Sequence, residues 1–142
     1  MKVTLDDGTE IFDDMLLCSI SKGIYCGGQY KTSPLADVSD GFIDVCPIKK
    51  ISRLQFLKFF DLYKVGDHVT SPTLKKYLSY HKCKKAIIEC RERLPVCFDG
   101  EPSFLEGKTV FEVVEKAVKL ILPAPAKRRD IEEKKLAQEV SM

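Results

Sequence analysis

Residues 74–98 read LKKYLSYHKCKKAIIECRERLPVCF. Leu74–His81, Lys84–Cys90 and Leu94–Phe98 are short, evenly spaced runs rich in Ile, Val, Tyr and Phe, and each reads as a strand. Strands that follow one another without intervening helices belong to an antiparallel sheet rather than to alternating β-α units. The rest of the chain extends this pattern. Lys2–Leu5 and Thr9–Phe12 flank Asp6-Asp7-Gly8, a hairpin signal. Met15–Ile20 and Phe42–Ile48 are apolar runs of strand length, and Thr109–Val113 and Ala117–Leu122 complete a set of about eight. Pro47 lacks an N–H, so it argues for an edge position or for the end of its strand.

One helix interrupts the strands, at Ile51–Lys64. Ser52 is its N-cap and Gln55 at N3 completes a capping box, with Ile51 and Phe56 able to staple the entry. Leu54, Phe56, Leu57, Phe59, Phe60, Leu62 and Tyr63 leave little of its circumference polar, so more than one neighbour is expected to cover it. Gly66 is the stop signal. The expected fold is mostly β, an antiparallel β-sandwich with this one main helix. Pro123–Ala126 reads as a stiff linker, and Lys127–Val140 as a charged helical tail whose few large apolar residues cannot hold it alone.

Composition narrows the class. The chain has 142 residues, 44% of them hydrophobic and 31% charged, enough for one domain with a real core. The start, MKVTLDDGTE, has no charged-then-apolar leader pattern, and no run has the roughly 18–20 apolar residues of a membrane span. Six cysteines, none spaced C-x-x-C, are then expected as reduced, buried thiols. His68 and His81 stand singly and read as surface or strand residues.

The net charge of +2 hides an asymmetry. Residues 1–48 carry three basic and eight acidic side chains, and residues 49–93 carry twelve and four. The basic middle suits anionic lipid head groups or nucleoside phosphates; a solvated face balancing an acidic neighbour explains it as well. A protein whose main task is wrapping nucleic acid is not indicated.

Two loops carry chemistry. Asp99-Gly100-Glu101 follows the strand Leu94–Phe98 and sets two carboxylates at a sheet edge, where they could bind a metal or take a proton from a hydroxyl. The same residues also make an ordinary hairpin turn. Ser39-Asp40-Gly41 precedes another strand, and Asp40 with loop carbonyls could hold a hard cation, or Asp40 could simply close an Asx turn. Gly27-Gly28 reads as a bulge or bend. No P-loop, dinucleotide fingerprint or nucleophile elbow occurs.

Read in order, Gly23-x-Tyr25-x-Gly27-Gly28, Ser33-Pro34-x-Ala36, Asp40-Gly41-x-x-Asp44-Val45, Ile48-x-x-Ile51-Ser52-Arg53 and Leu94-Pro95-Val96-x-x-Asp99-Gly100-Glu101-Pro102 form one series. Together they resemble the C-terminal domain of the diacylglycerol kinase and sphingosine kinase superfamily, in its bacterial soluble form, over roughly residues 3–123. The resemblance implies a β-sandwich that closes over an N-terminal α/β kinase domain, and transfer of the ATP γ-phosphate to a lipid hydroxyl with Mg2+. It implies that Glu101 is the base acting on the lipid substrate and that Asp99 assists magnesium or the phosphates. It also implies a structural Mg2+ held by the Asp40 side chain and the carbonyls of Asp37 and Phe42.

The family pattern departs in three places: Lys22-Gly23 stands for Asn-Gly, Gln29 for a third glycine, and the Gly-Gly-Asp-Gly-Thr nucleotide motif does not occur. The expectation is therefore a C-terminal piece of a lipid kinase, from a cloned fragment or a split gene and inactive alone. Residues 1–123 would be the sandwich and 124–142 a linker and tail packing on the N-terminal domain. The parent would be cytoplasmic, with peripheral membrane contact when acting, and exposed sheet edges allow a homodimer. The competing reading is a non-enzymatic β-sandwich that binds a lipid or a protein partner.

Overall fold

The computed structural model describes residues 1–119 and 121. Seven strands and one α-helix follow in order: β1 Lys2–Leu5, β2 Glu10–Phe12, β3 Met15–Ser21, β4 Ile43–Lys49, α1 Arg53–Val65, β5 His81–Cys83, β6 Lys85–Phe98 and β7 Glu101–Glu112. They form two antiparallel sheets, one of order β2-β1-β6-β7 and one of order β3-β4-β5. The expected sandwich is present. The linker at Pro123–Ala126 and the tail Lys127–Val140 lie outside the described residues.

Alternation builds the core. Val3 and Leu5 of β1 and Ala86 and Ile88 of β6 point inward from the first sheet, and Ile43 and Val45 of β4 with Cys83 of β5 meet them from the second. β4 is buried from Ile43 to Ile48 because both its faces are covered. Asp44, Cys46 and Ile48 occupy the face opposite Ile43 and Val45, and Ile48 lies against α1 across a cavity.

The helix begins where the sequence says it should. Ser52 accepts the Gln55 N–H and the Gln55 side chain accepts the Ser52 N–H, closing the capping box. Gly66 ends it with φ 92°, and a Cβ there would stand 3.0 Å from the Pro34 Cβ, so glycine is required twice over. The expectation that neighbours cover most of α1 is not met among the described residues: Leu54 and Leu57 are 74% and 68% exposed.

Several boundaries differ from those the sequence predicts. Leu74–His81 is a series of turns touching β4 through one isolated bridge, Ile48 to Leu78, and only His81–Cys83 is strand. The Leu74 carbonyl accepts both the Tyr77 and Leu78 N–H groups, so local turns take the donors a ladder would have used. Lys84–Cys90 and Leu94–Phe98 merge into β6, interrupted by a bulge between Cys90 and Leu94, and Thr109–Val113 is the end of a longer β7. Residues 117–119 are not strand. Pro47 sits inside β4 and at neither an edge nor a strand end: Cys18 of β3 faces it on one side, and on the other its carbonyl accepts the Ser79 N–H at 3.4 Å, where isolated bonds from the turn segment have replaced the regular ladder that β5 makes with Ile43–Val45.

The bulge bends the longest hairpin of the fold. Gly107, at φ 67°, pairs with Cys90 at the start of it. There the β6–β7 ribbon turns a corner and brings Phe98, near its tip, to within 6.2 Å of Phe111 near its base, measured between ring centroids. Leu105, beyond the corner, is buried in the same core as Val3 and Val45.

Candidate functional site

Three groups of residues carry chemistry, and each depends on a different part of the fold. The first is the tip of the β6–β7 ribbon. Phe98 pairs with Glu101, leaving Asp99 and Gly100 as a two-residue loop with φ 49° and 102°. Positive φ at both positions is the geometry that a right-twisted hairpin needs, and Asp-Gly is the natural choice for it. The turn sets the Asp99 and Glu101 carboxylates in solvent, and neither makes a hydrogen bond or ion pair among the described residues.

The second group is the loop before β4. Asp37 Oδ1 accepts the Ser39 N–H at 2.8 Å and the Ser39 hydroxyl at 2.6 Å. Asp40 Oδ1 accepts the Phe42 N–H at 3.0 Å, with Gly41 at φ 76° allowing the turn between them. So the Asx turn is formed. The expected ligand set is also brought together, but around a side chain. Lys22, directly after β3, donates to the Asp37 carbonyl at 2.9 Å, to Asp40 Oδ1 at 2.7 Å and to the Phe42 carbonyl at 2.7 Å. Lys82 on β5 donates to Asp40 Oδ2 at 2.6 Å. The Lys22 ammonium, with Lys82 and the Phe42 N–H, holds the Asp40 carboxyl far below the usual carboxylate range.

Asp44 on β4 lies beside this pair and behaves oppositely. Its side chain is fully buried, and burial raises its pKa, while the Tyr80 hydroxyl and the Lys82 ammonium, 3.9 Å away, pull the other way. No motif in the sequence singles out Lys22 or Lys82 as a partner of Asp40. The excess of basic side chains in residues 49–93 includes Lys82, while Lys22 stands out only as the residue that replaces the asparagine of the family's Asn-Gly.

The third group is a cavity of about 500 Å3 between α1 and the β3-β4-β5 sheet. Its walls are almost wholly apolar, with Ile48, Phe56, Phe59, Leu74 and Tyr77 prominent among them, and Leu16, Leu17 and Leu57 are exposed where it opens. His68 also lines it. Against the surface or strand position expected for it, His68 is buried in a short helical turn at Asp67–Val69, its ring 4.7 Å from that of Tyr63. Burial lowers its pKa from the ordinary histidine value, against the opposing pull of Asp67. No hydrogen bond or ion pair among the described residues links the ribbon tip, the Asp40 loop and the cavity. No helix among them is long and apolar enough to cross a membrane.

Residues 1–122 match the family described as the YegS C-terminal NAD kinase beta sandwich-like domain. The chain belongs to that family. Among solved structures, the domain is similar to a protein from Bacillus anthracis str. Sterne assigned as a diacylglycerol kinase, at 26% identity and TM-score 0.61. The match covers 80% of this chain and 36% of that one. A diacylglycerol kinase structure from the same organism has the same fold, at 24% identity and TM-score 0.61, over 80% of this chain and 39% of the other. The domain thus spans little more than a third of the length of these solved kinases. No curated protein matches it.

Proposed function

We propose that the chain is the lipid-binding and base-carrying half of an ATP-dependent lipid kinase. Its substrate would be a lipid alcohol such as diacylglycerol. The observation that carries this reading is the apolar cavity between α1 and the second sheet, in a domain whose solved relatives at 26% identity are assigned as diacylglycerol kinases. A cavity of about 500 Å3 with apolar walls suits part of an acyl chain, whose transfer from water is favourable by roughly 0.8 kcal/mol per methylene.

In this reading the N-terminal α/β domain holds ATP with its Mg2+, and the two halves meet over the ribbon tip. Glu101 takes the proton of the lipid hydroxyl. The freed oxygen attacks the γ-phosphorus, and the bond to the β-phosphate oxygen breaks to release ADP. A carboxylate suffices here, because phosphoryl transfer asks for positioning and proton removal rather than covalent help. Asp99 stands one residue from Gly100 on the same turn and would assist magnesium or the phosphates. The exposure of both carboxylates fits a site completed by another domain. The exposed Leu16, Leu17, Leu54 and Leu57, with Lys50 and Arg53 beside them in sequence, would dip into an anionic membrane surface while the substrate is drawn in.

The competing reading keeps the cavity and removes the catalysis. It is favoured by the Asp99-Gly100 turn being complete as a plain hairpin, with φ positive at both residues. The test is ATP-dependent phosphorylation of a lipid panel by the chain alone and by the chain together with its N-terminal half. Transfer only in the combined sample is expected. Phosphorylation by the chain alone would overturn the division of labour, and none in the combined sample would favour the binding module.

A further inference from the structure

We propose that the Lys22 ammonium serves as a built-in cation for the Asp37–Phe42 loop, so that this domain needs no structural divalent metal there. The oxygens expected around Mg2+ are all present, but what they surround is a nitrogen. An ammonium has three N–H donors, and Lys22 spends all three on three acceptors: the Asp37 carbonyl, Asp40 Oδ1 and the Phe42 carbonyl. The distances of 2.7–2.9 Å are those of charge-assisted hydrogen bonds. A bound Mg2+ would need oxygens at about 2.0–2.1 Å in a near-octahedral shell, and Ca2+ six to eight of them at about 2.3–2.6 Å.

Charge points the same way. Asp40 already faces two ammonium groups, Lys22 on one oxygen and Lys82 on the other. A dication entering this loop would have to expel the first and approach the second. The remaining carboxylates do not make up the difference. The Asp37 side chain is turned onto Ser39, and the buried Asp44 carboxyl already has the Lys82 ammonium 3.9 Å away. Among the described residues no group of three or more His, Cys, Asp and Glu side chains converges as a metal site. The cradle of one carboxylate and two carbonyls thus has its positive charge already supplied by Lys22.

The tie has a structural task. It fastens the end of β3 to the loop that leads into β4, across 15 to 20 residues of chain. A covalently attached cation does this at any divalent ion concentration, whereas a bound ion would be lost when its free concentration fell below the dissociation constant. This inference stands apart from the lipid kinase reading. In that reading the Mg2+ that accompanies ATP is held by the N-terminal domain, so the outcome of a kinase assay does not bear on this loop.

The experiment is thermal unfolding of the 142-residue chain in EDTA, and in millimolar Mg2+ or Ca2+, for the wild type and Lys22→Ala. The wild-type Tm should be the same in all three. Lys22→Ala should melt roughly 5 °C lower in EDTA and recover most of that shift in one of the two cations. A wild-type Tm raised by either cation overturns the proposal. So does a variant that melts with the wild type in EDTA, or one that loses stability without rescue. Should Lys22→Ala not fold, Mn2+ titration of the wild type followed by water proton relaxation decides. Binding too weak to detect at millimolar Mn2+ supports the built-in cation, and a competed site of one ion per chain refutes it.

Discussion

Phe98 and Phe111 lie with ring centroids 6.2 Å apart, although the ladder between them would set them roughly 34 Å apart in a straight ribbon at about 3.4 Å per residue. The contact exists because the β6–β7 ribbon turns at the Cys90–Leu94 bulge. It places the Asp99-Gly100-Glu101 turn over the base of its own hairpin. Phe98→Ala should therefore cost about 1 kcal/mol, the worth of an aromatic pair, in urea unfolding. If the domain is part of a lipid kinase with Glu101 as its base, the same change should also lower kcat of the assembled enzyme, because Glu101 faces Phe98 across the last rung of the ladder. An unchanged kcat would mean that the tip is held in place by the other domain alone.

The Glu101 side chain supports nothing in the fold. It is exposed, and its carboxylate makes no hydrogen bond or ion pair among the described residues. Glu101→Gln should leave the unfolding free energy within about 0.5 kcal/mol of the wild type. If Glu101 is the base, the same change should reduce lipid phosphorylation by roughly 100- to 10,000-fold in the assembled enzyme. A folded variant that retains full turnover would remove Glu101 from the reaction.

Asp40 and Asp44 should give opposite pH signatures. The folded pKa of Asp40 lies below its ordinary value of 3.8, because its carboxylate is held by Lys22, Lys82 and the Phe42 N–H. Its contribution to stability is present above that ordinary value and is lost as pH falls through the folded one. Burial raises the folded pKa of Asp44 above 3.8, so the folded chain binds that proton more tightly. Stability from Asp44 is then present at low pH and is lost as pH rises through its folded value. A Tm series from about pH 3 to pH 7 checks both signs. The deficit of Asp40→Asn should shrink toward acid, and any advantage of Asp44→Asn should grow toward neutrality.

The thiols should divide by burial. All six cysteines lie within the described residues and are free, but not all are buried as the sequence predicts. Burial pushes Cys18 and Cys46 up to about 12 and Cys83 up to about 11, so their thiolates are scarce near neutrality. Cys26 and Cys97 are exposed, and Cys90 is half-buried with its thiol directed at the Leu105 and Gly107 carbonyls. A disulfide reagent should modify two thiols rapidly in the folded chain and all six after denaturation. Six fast thiols in the native state would mean that the sheets do not pack as described.

The parts of the fold legible in the sequence are those specified by near neighbours. Ser52 and Gln55 are three residues apart, and their capping box is formed. Asp6-Asp7-Gly8 and Asp99-Gly100 set their turns through local backbone geometry. The Leu74–His81 run misleads because Leu and Tyr at strand-like spacing say nothing about which donors are free, and turns around Leu74 take them. The Arg91-Glu92-Arg93 stretch reads as a break between two strands. It is β6 itself, at the bulge, where side chains exposed to solvent need no apolar alternation. The oxygens around Asp40 are legible as a group, since they lie within six residues. Lys22 as their occupant is not, because it reaches them from another strand end.

The pairing of β1 with β6 has a cost in time. Val3 faces Ile88 across the ladder, so one of the first strands made must wait for one of the last. During synthesis the N-terminal hairpin can form early, but its inward residues Val3 and Leu5 have no partner until most of the chain has emerged. Long-range pairing of this kind slows folding, because the loop must close before the contacts reward it. The domain is thus expected to fold after its synthesis rather than along with it. Until then its first apolar strand is a surface on which a chaperone, or another nascent copy, can act.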